Sequence, residues 1–272
     1  MGKPFSLLAA LLLAASCASP RLAEQNAVTP VEPLPHRYLV ALSEESHRET
    51  LETYPRSAHT AHAALLEEVG QRLTKAVVKY LASNGLQEHV EGNQWRYALL
   101  ASDQVMASCL PGGQIVFHEG MIPYCEGAEG VAAVMAHTVA HAISQHGDER
   151  LRAQLTDRFE GASLKEAHDK EPLRAAHLVS SSFGLVKDTN QILPYRPQHE
   201  AEADEIALYF MALAGYDPRQ APAVWARLAA GADGSTFLRI HPCPADHEQQ
   251  LRKHMKKAVR IYRQHNRAVA RR

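Results

Sequence analysis

The fold of this chain is decided by residues 130–141, which read Gly-Val-Ala-Ala-Val-Met-Ala-His-Thr-Val-Ala-His. The run is apolar up to two histidines that stand four residues apart. A helix over residues 129–145 would place His137 and His141 on one face, so that both imidazoles can reach one metal ion. The chain has 16 histidines, so this spacing can also arise by chance. The alternative is a half-buried helix whose histidines bind nothing.

The segments around this helix predict an α+β fold in which helices dominate. Asp217 is the expected N-cap of one of them, with Pro218 in its first turn. Strand-like residues and a Pro-Gly-Gly turn precede the histidines, and apolar residues recur at helical spacing elsewhere. Strands are expected at 95–101 and 114–118, joined through a turn at 111–113, and further helices at 57–84, 199–214, 217–229 and from 245 onward.

The composition indicates one sizeable globular domain, with two small domains as the alternative. The 272 residues are 46% hydrophobic and carry a formal net charge of −1, and this length is enough for a single core. The near-neutral charge balance argues against a nucleic-acid-binding protein, which would usually carry a basic surplus.

The N-terminus has the pattern of an export signal. An apolar run over residues 5–15 is too short to span a bilayer, and small residues then precede Cys17. We expect a signal peptide at 1–16, lipidation of Cys17, a polar linker at 17–56 and one domain at 57–272. Ordinary cleaved export is the alternative. The expected location is the bacterial cell envelope, as an outer-membrane lipoprotein that faces the periplasm and meets the membrane through its lipidated N-terminus.

Three cysteines remain after Cys17, namely Cys109, Cys125 and Cys243. In an oxidising compartment an odd number permits one disulfide and one free thiol, and the spacing does not select the pair. Three separate buried thiols are the alternative.

Five segments in this order resemble the HtpX-like zinc metallopeptidases, the gluzincin family that includes the mitochondrial Oma-type proteases and the CAAX prenyl proteases. They are residues 110–121, 130–141, 200–204, 211–218 and 241–244, which correspond to a glycine turn with a strand, the metal helix, the helix of the third ligand, its exit turn and a His-Pro element. The resemblance covers about residues 57–256. It implies a gluzincin domain in which a small edge-stranded sheet lies over the metal-binding helices.

The resemblance implies a single zinc ion held by His137, His141 and Glu200. Two imidazoles and a carboxylate leave the fourth zinc position open, as in catalytic sites. Asp204 lies one helical turn after Glu200 and is expected to orient a zinc-binding histidine. His241 is expected to stabilise the developing oxyanion or to be an ordinary turn residue.

The resemblance also implies how substrate is held. An edge strand formed by Gln114, Ile115, Val116 and Phe117 is expected to pair with extended polypeptide through its backbone, which gives little sequence selectivity. An ordinary sheet edge is the alternative. Two nearby residues are interpreted as peripheral: Glu202 as a solvated or supporting group, and His146 as a residue at the helix C-terminus that interacts with the helix dipole.

The sequence departs from the family at the residue that performs acid–base catalysis. The HExxH motif requires glutamate at its second position, where this chain has Thr138. A threonine hydroxyl cannot serve as a general base near neutral pH, and loss of acid–base help costs about 10²–10⁴-fold in rate. A second departure precedes Glu200, where the family's Ser-Arg is absent and only Arg196 can compensate.

Three functions remain open from the sequence. The first is a zinc endopeptidase that acts on unfolded or misfolded envelope polypeptides, with impaired catalysis. The second is a non-catalytic zinc-bound relative that binds or chaperones extended polypeptide. The third is a metal-free scaffold lipoprotein. Residues 148–198 are expected to cover the cleft, and the basic C-terminal helix is either a solvated face or a contact to anionic lipid.

Overall fold

The computed structural model describes residues 36–186, 192–231, 235–243 and 247–270. These residues form a helix-dominated fold with a small three-stranded sheet, as the sequence predicts. The strands are β1 (Arg96–Leu100), β2 (Ala107–Leu110) and β3 (Gln114–His118). The helices are α1 (His36–Thr53), α2 (Thr60–Ser83), α3 (Ile122–Cys125), α4 (Ala128–Ile143), α5 (His146–Arg158), α6 (Leu164–Lys170), α7 (Pro172–Ser182), α8 (Pro197–Leu213), α9 (Ala221–Ala230), α10 (Thr236–Ile240) and α11 (His247–Val269).

The helix α4 forms the centre of the molecule. Every residue from Gly130 to His141 is buried, and α4 packs against α8, β2 and α2. An element covered on all sides has no polar face, which explains the continuous apolar run before the histidines. The helix predicted over residues 129–145 is therefore confirmed, although it ends at Ile143.

The sheet has the strand order β1-β3-β2, with β1 parallel and β2 antiparallel to β3. Strand β2 was not predicted, because its four residues Ala-Ser-Cys-Leu show neither alternation nor β-branched side chains. The turn predicted at 111–113 closes the β2–β3 hairpin. Its residues Gly112 and Gly113 both have φ of +87°, in the left-handed region that favours glycine.

This strand order corrects the prediction of the substrate-binding edge. Gln114, Ile115, Val116 and Phe117 lie in β3, which is hydrogen-bonded to a strand on each side and is buried along its whole length. The backbone of a central strand is already paired, so it cannot accept an added polypeptide strand. The edge was implied by the family resemblance, and β2, which was not predicted, occupies that side of β3.

The stretch expected to be a linker also differs from expectation. Residues 36–53 form α1, which packs against α7 and buries Leu39 and Leu42 in an apolar cluster with the sheet. The sequence concealed this helix because prolines at 30, 33 and 35 precede it and polar residues dominate it. The expected signal peptide and the lipidation site Cys17 lie outside the described residues.

The expected helix starting near Asp217 is confirmed in a modified form. The Asp217 side chain accepts a hydrogen bond from the backbone N–H of Arg219, as an N-cap does. A single 3-10 turn, Pro218–Gln220, then leads into α9. In the described part of the chain, no helix is long and apolar enough to cross a membrane.

The three remaining cysteines are free thiols, which matches the alternative of three separate buried thiols except that Cys243 is exposed. Cys109 and Cys125 are buried and Cys243 is exposed. Burial raises the pKa of both Cys109 and Cys125 to about 12. These two side chains therefore stay protonated and unreactive near neutral pH.

His118 gives the fold a predicted sensitivity to acid. It is fully buried in β3, both ring nitrogens lack a hydrogen-bond partner among the described residues, and burial lowers its pKa to about 4. The unfolded chain, with a histidine pKa of about 6.5, binds the proton first. The stability that neutral His118 contributes is therefore complete above about pH 6.5 and is lost as pH falls towards 4.

We expect His118→Leu to reduce the difference in unfolding free energy between about pH 7 and pH 4.5 by about 2–3 kcal/mol. Urea unfolding at the two pH values measures this difference. The exposed His62 provides the control His62→Leu. Equal acid sensitivity in His118→Leu and the unsubstituted chain would show that His118 does not carry this effect.

Candidate metal centre

Four side chains from three parts of the fold converge on one buried point. Helix α4 supplies His137 and His141, α8 supplies Glu200, and His241 follows α10. One donor atom from each lies within 4.8 Å of the donor atoms of the other three, and all four residues are buried. The structure therefore brings together the three predicted zinc ligands and adds His241 to them.

The donor atoms are spaced as they would be around one small cation. His137 Nε2 lies 3.1 Å from His141 Nε2 and 3.1 Å from His241 Nδ1. Oxygens of Glu200 lie 3.3 Å from His137 Nε2, 3.3 Å from His141 Nε2 and 3.2 Å from His241 Nδ1. A tetrahedron with metal–ligand bonds of about 2.0–2.1 Å has edges of about 3.3 Å. The residues present fit zinc.

The surroundings of Glu200, His141 and His241 favour the protonation states that bind zinc. Burial raises the pKa of Glu200, but the charges of His241 and His141 and hydrogen bonds from both helix histidines outweigh it and hold the pKa well below its usual range. Burial holds the pKa of His141 well below its usual value and lowers that of His241 to about 4. A carboxylate and neutral imidazoles are the forms that bind zinc.

Asp204 contacts His137 at Nδ1, the ring nitrogen that faces away from the ligand group, as the sequence predicted for a supporting residue. Its Oδ1 lies 3.0 Å from His137 Nδ1, and its Oδ2 lies 2.6 Å from His247 Nε2. Burial lowers the pKa of His137, but hydrogen bonds to Asp204 and Glu200 outweigh it and raise the pKa to about 9. His137 therefore has to release the proton on Nε2 to bind a metal, while the contact with Asp204 keeps the proton on Nδ1.

We expect Asp204→Asn to weaken zinc binding by about 10- to 100-fold, because the amide orients His137 less strongly than the carboxylate does. Competition with a chromogenic chelator measures the affinity. Glu205→Gln, one position further along α8, is the control. Equal zinc affinity in Asp204→Asn and the control would contradict the supporting role.

Thr138 is buried beside the ligands, but its hydroxyl has a partner within its own helix. Its Oγ1 donates to the carbonyl oxygen of Met135 at 3.0 Å. A threonine offers no carboxylate, and this hydroxyl is engaged by the backbone of α4. The position that would hold the general base therefore contains no group that titrates near neutral pH.

The aromatic wall of the centre was not found from the sequence. The ring centroids of Tyr195 and His141 lie 3.9 Å apart, and the guanidinium of Arg150 lies over the Tyr195 ring, 3.8 Å from its centroid. Trp225 and Phe237 contact the ring of His137. No local motif marks these residues, because their common feature is a position in space rather than a spacing.

The interpretation of His146 is corrected. His146 does not end α4; it begins α5, after Gln145 reverses the chain with φ of +58°. Glu202 is half-exposed and its carboxylate reaches His146, in agreement with its interpretation as a solvated or supporting group. Arg196 forms an ion pair with Glu149 at 2.9 Å and takes no part in the ligand group.

A segment after α7 lies close to the centre. A methyl group on Gly184 would contact His241 Nε2 and Ser108 Cβ, each at 3.9 Å. The neighbouring residues Phe183, Leu185 and Val186 are buried. This part of the 148–198 region therefore lies between β2 and His241, consistent with the expected cover. Residues 187–191 lie outside the described residues.

A helix-borne pair of histidines, completed by a glutamate from a second helix, defines the zinc metallopeptidase class of site. The chain belongs to Peptidase family M48, whose family model matches residues 69–255. Members of this family bind zinc, in agreement with the ligand group described above.

Characterised relatives agree with this assignment. The chain is 28% identical over 212 residues to the mitochondrial metalloendopeptidase OMA1 of Schizosaccharomyces pombe, covering 71% of this chain and 58% of the relative. It is 29% identical to OMA1 of Arabidopsis thaliana, covering 71% and 39%. It is 26% identical to the beta-barrel assembly-enhancing protease of Escherichia coli strain K12, covering 62% and 37%. The chain thus spans less than two thirds of each of these relatives.

Proposed function

We propose that this chain is a zinc metalloendopeptidase-family protein of the cell envelope that acts on unfolded or extended polypeptide, with hydrolysis slowed because Thr138 replaces the general base. The observation that carries the proposal is the convergence of buried donor atoms from His137, His141, Glu200 and His241 beside a threonine. The ligands are retained, whereas the group that would move the proton is not.

When bound, zinc polarises the scissile carbonyl and lowers the pKa of water. The residues of this chain supply the surroundings of that chemistry. His137, His141 and Glu200 would hold the ion, Asp204 would fix the tautomer of His137, and the buried walls would exclude bulk water. No carboxylate in this group takes a proton from the attacking water, so the chain binds and positions polypeptide far better than it cleaves it.

Substrate pairing is reassigned from β3 to β2. Strand β2 lies at the outside of the described sheet and packs against α4, the helix that carries both histidines. Extended polypeptide can add to an outer strand through backbone hydrogen bonds. The segment at Gly184 lies next to Ser108 in β2, so this segment has to move before polypeptide can reach the centre.

A non-catalytic role, in which the chain holds extended polypeptide without cutting it, is the second candidate. It is favoured by His241, whose Nδ1 stands where a catalytic site would keep an open position. Four protein donors form a closed centre of the structural kind. The metal-free scaffold is disfavoured, because a convergent buried set of imidazoles and a carboxylate has no other evident use.

The proposed location follows from the N-terminal sequence. Lipidation of Cys17 would attach the chain to the envelope membrane without a spanning helix. The relative from Escherichia coli is named for enhancing beta-barrel assembly. This name is compatible with a protein that acts on unfolded envelope proteins.

The test is the hydrolysis and binding of a reduced, carboxymethylated protein by the full chain, with and without a zinc chelator. We expect tight binding of the unfolded protein and slow cleavage that the chelator stops. Rapid chelator-sensitive cleavage would show that another group supplies the base. Failure to bind either zinc or unfolded polypeptide would overturn the proposal.

A further inference from the structure

The Nδ1 atom of His141, which faces away from the ligand group, has a different kind of partner from Nδ1 of His137. His141 Nε2 points to the ligand group, and its Nδ1 lies 3.1 Å from His146 Nδ1. On its other side, His146 Nε2 lies 3.4 Å from Glu202 Oε2. A chain of imidazole, imidazole and carboxylate therefore leads away from the metal centre, where His137 has the single carboxylate of Asp204.

We propose that His146 is a positioning residue for the metal centre, which fixes the tautomer and the ring plane of His141 and is itself held by Glu202. This inference rests on zinc binding by His141, as in the proposed function.

The proton positions follow from the geometry. When His141 Nε2 donates its lone pair to the metal, its Nδ1 carries the hydrogen and donates to Nδ1 of His146. His146 accepts at that nitrogen, so its own hydrogen is on Nε2, where it donates to Glu202. Each ring nitrogen of the pair then has a partner. A single tautomer of each ring satisfies all of these contacts.

The surrounding residues hold His146 in place. Its ring stacks on that of His199, with centroids 4.4 Å apart and planes 10° apart. His199 Nε2 lies 3.1 Å from Glu149 Oε2. The left-handed backbone of Gln145, at φ +58°, turns the chain from α4 into α5 and aims the His146 ring back at α4. A non-glycine residue in this conformation is uncommon and indicates a locally demanding geometry.

Alternate residues of helix α8 therefore position both histidines of the motif. Glu200 binds in the ligand group, Asp204 holds His137, and Glu202 holds His141 through His146. Glu202 also interacts with Ser144 at the end of α4, so it ties together both sides of the α4–α5 turn. This assigns a role to each acid of the Glu-Ala-Glu-Ala-Asp segment.

The test is the zinc affinity of the full chain, measured by chelator competition and by the visible absorption spectrum of the cobalt-loaded protein. We expect His146→Ala to weaken zinc binding by about 10- to 100-fold and to change the cobalt spectrum. His146→Asn should restore most of the affinity, because its side-chain oxygen can accept the hydrogen of His141 Nδ1. His118→Ala is the matched control, since it removes a buried imidazole outside the centre.

Equal zinc affinity in His146→Ala and the unsubstituted chain would overturn the proposal, and so would an Asn variant as weak as the Ala variant. If His146→Ala does not fold, Glu202→Gln is compared with Glu205→Gln as its control. Weaker zinc binding by Glu202→Gln than by Glu205→Gln agrees with the proposal, and equal zinc binding contradicts it. Absence of zinc binding by the unsubstituted chain would instead overturn the proposed function. Because the readout is affinity, slow hydrolysis does not affect the result.

Discussion

Thr138→Glu is expected to raise the zinc-dependent hydrolysis of an unfolded protein by about 10²–10⁴-fold. The substitution places a carboxylate on α4, one residue after His137, where it can take the proton from water and return it to the leaving amine. The present hydroxyl is bonded to the carbonyl of Met135, so no interaction with a ligand is lost. The measurement is the release of acid-soluble fragments from a carboxymethylated protein.

The control for this gain is Thr138→Gln, which has the shape of glutamate but no general base. It should remain as slow as the unsubstituted chain. If Thr138→Glu is also slow, the double variant Thr138→Glu with His241→Ala separates two causes. Cleavage by the double variant alone would show that His241 blocks the fourth position. No cleavage by any of these zinc-loaded variants would contradict the role assigned to Thr138.

Glu200→Ala is expected to abolish the stabilisation of the fold by zinc. At a free zinc concentration of about 1,000 times Kd, a bound ion stabilises the folded state by about 4 kcal/mol. For a domain of this size that corresponds to a rise in Tm of roughly 10 °C. Without Glu200 the only carboxylate among the four donors is gone, and three buried imidazoles remain.

Calorimetry with zinc and with chelator measures this rise in Tm. Glu205→Gln on the same helix should keep it in full, because Glu205 contacts His254 and lies outside the centre. A Glu200→Ala protein that zinc still stabilises by the same amount would show that another set of residues binds the ion.

The central helix and its two histidine ligands were accessible from sequence for a physical reason. A helix buried on all sides requires a continuous apolar run, and a metal pair requires a fixed spacing, so both leave a local pattern at residues 130–141. Glu200 was found only through the family resemblance. Spacing along the chain contains no information about which distant helix packs against α4.

Other features could not be predicted because their determinants are not local. Strand β2 exists through its pairing with β3, not through its own four residues. Without β2, nothing in the sequence argued against the edge that the family resemblance implied at Gln114 to Phe117. The position of His146 depends on the left-handed Gln145, whereas the sequence suggested that His146 lies at the C-terminus of the metal helix. His241 reaches the ligand group because α10 ends beside Tyr195, whose backbone N–H donates to Ile240.

X-ray absorption at the zinc edge, on the purified full chain, tests the central claim most directly. The arrangement of His137, His141, Glu200 and His241 predicts one zinc per chain, with only nitrogen and oxygen neighbours at about 2.0–2.2 Å. A chain that contains no zinc after purification and after reconstitution with zinc would contradict this claim. A cysteine sulfur at about 2.3 Å from the zinc would contradict it as well.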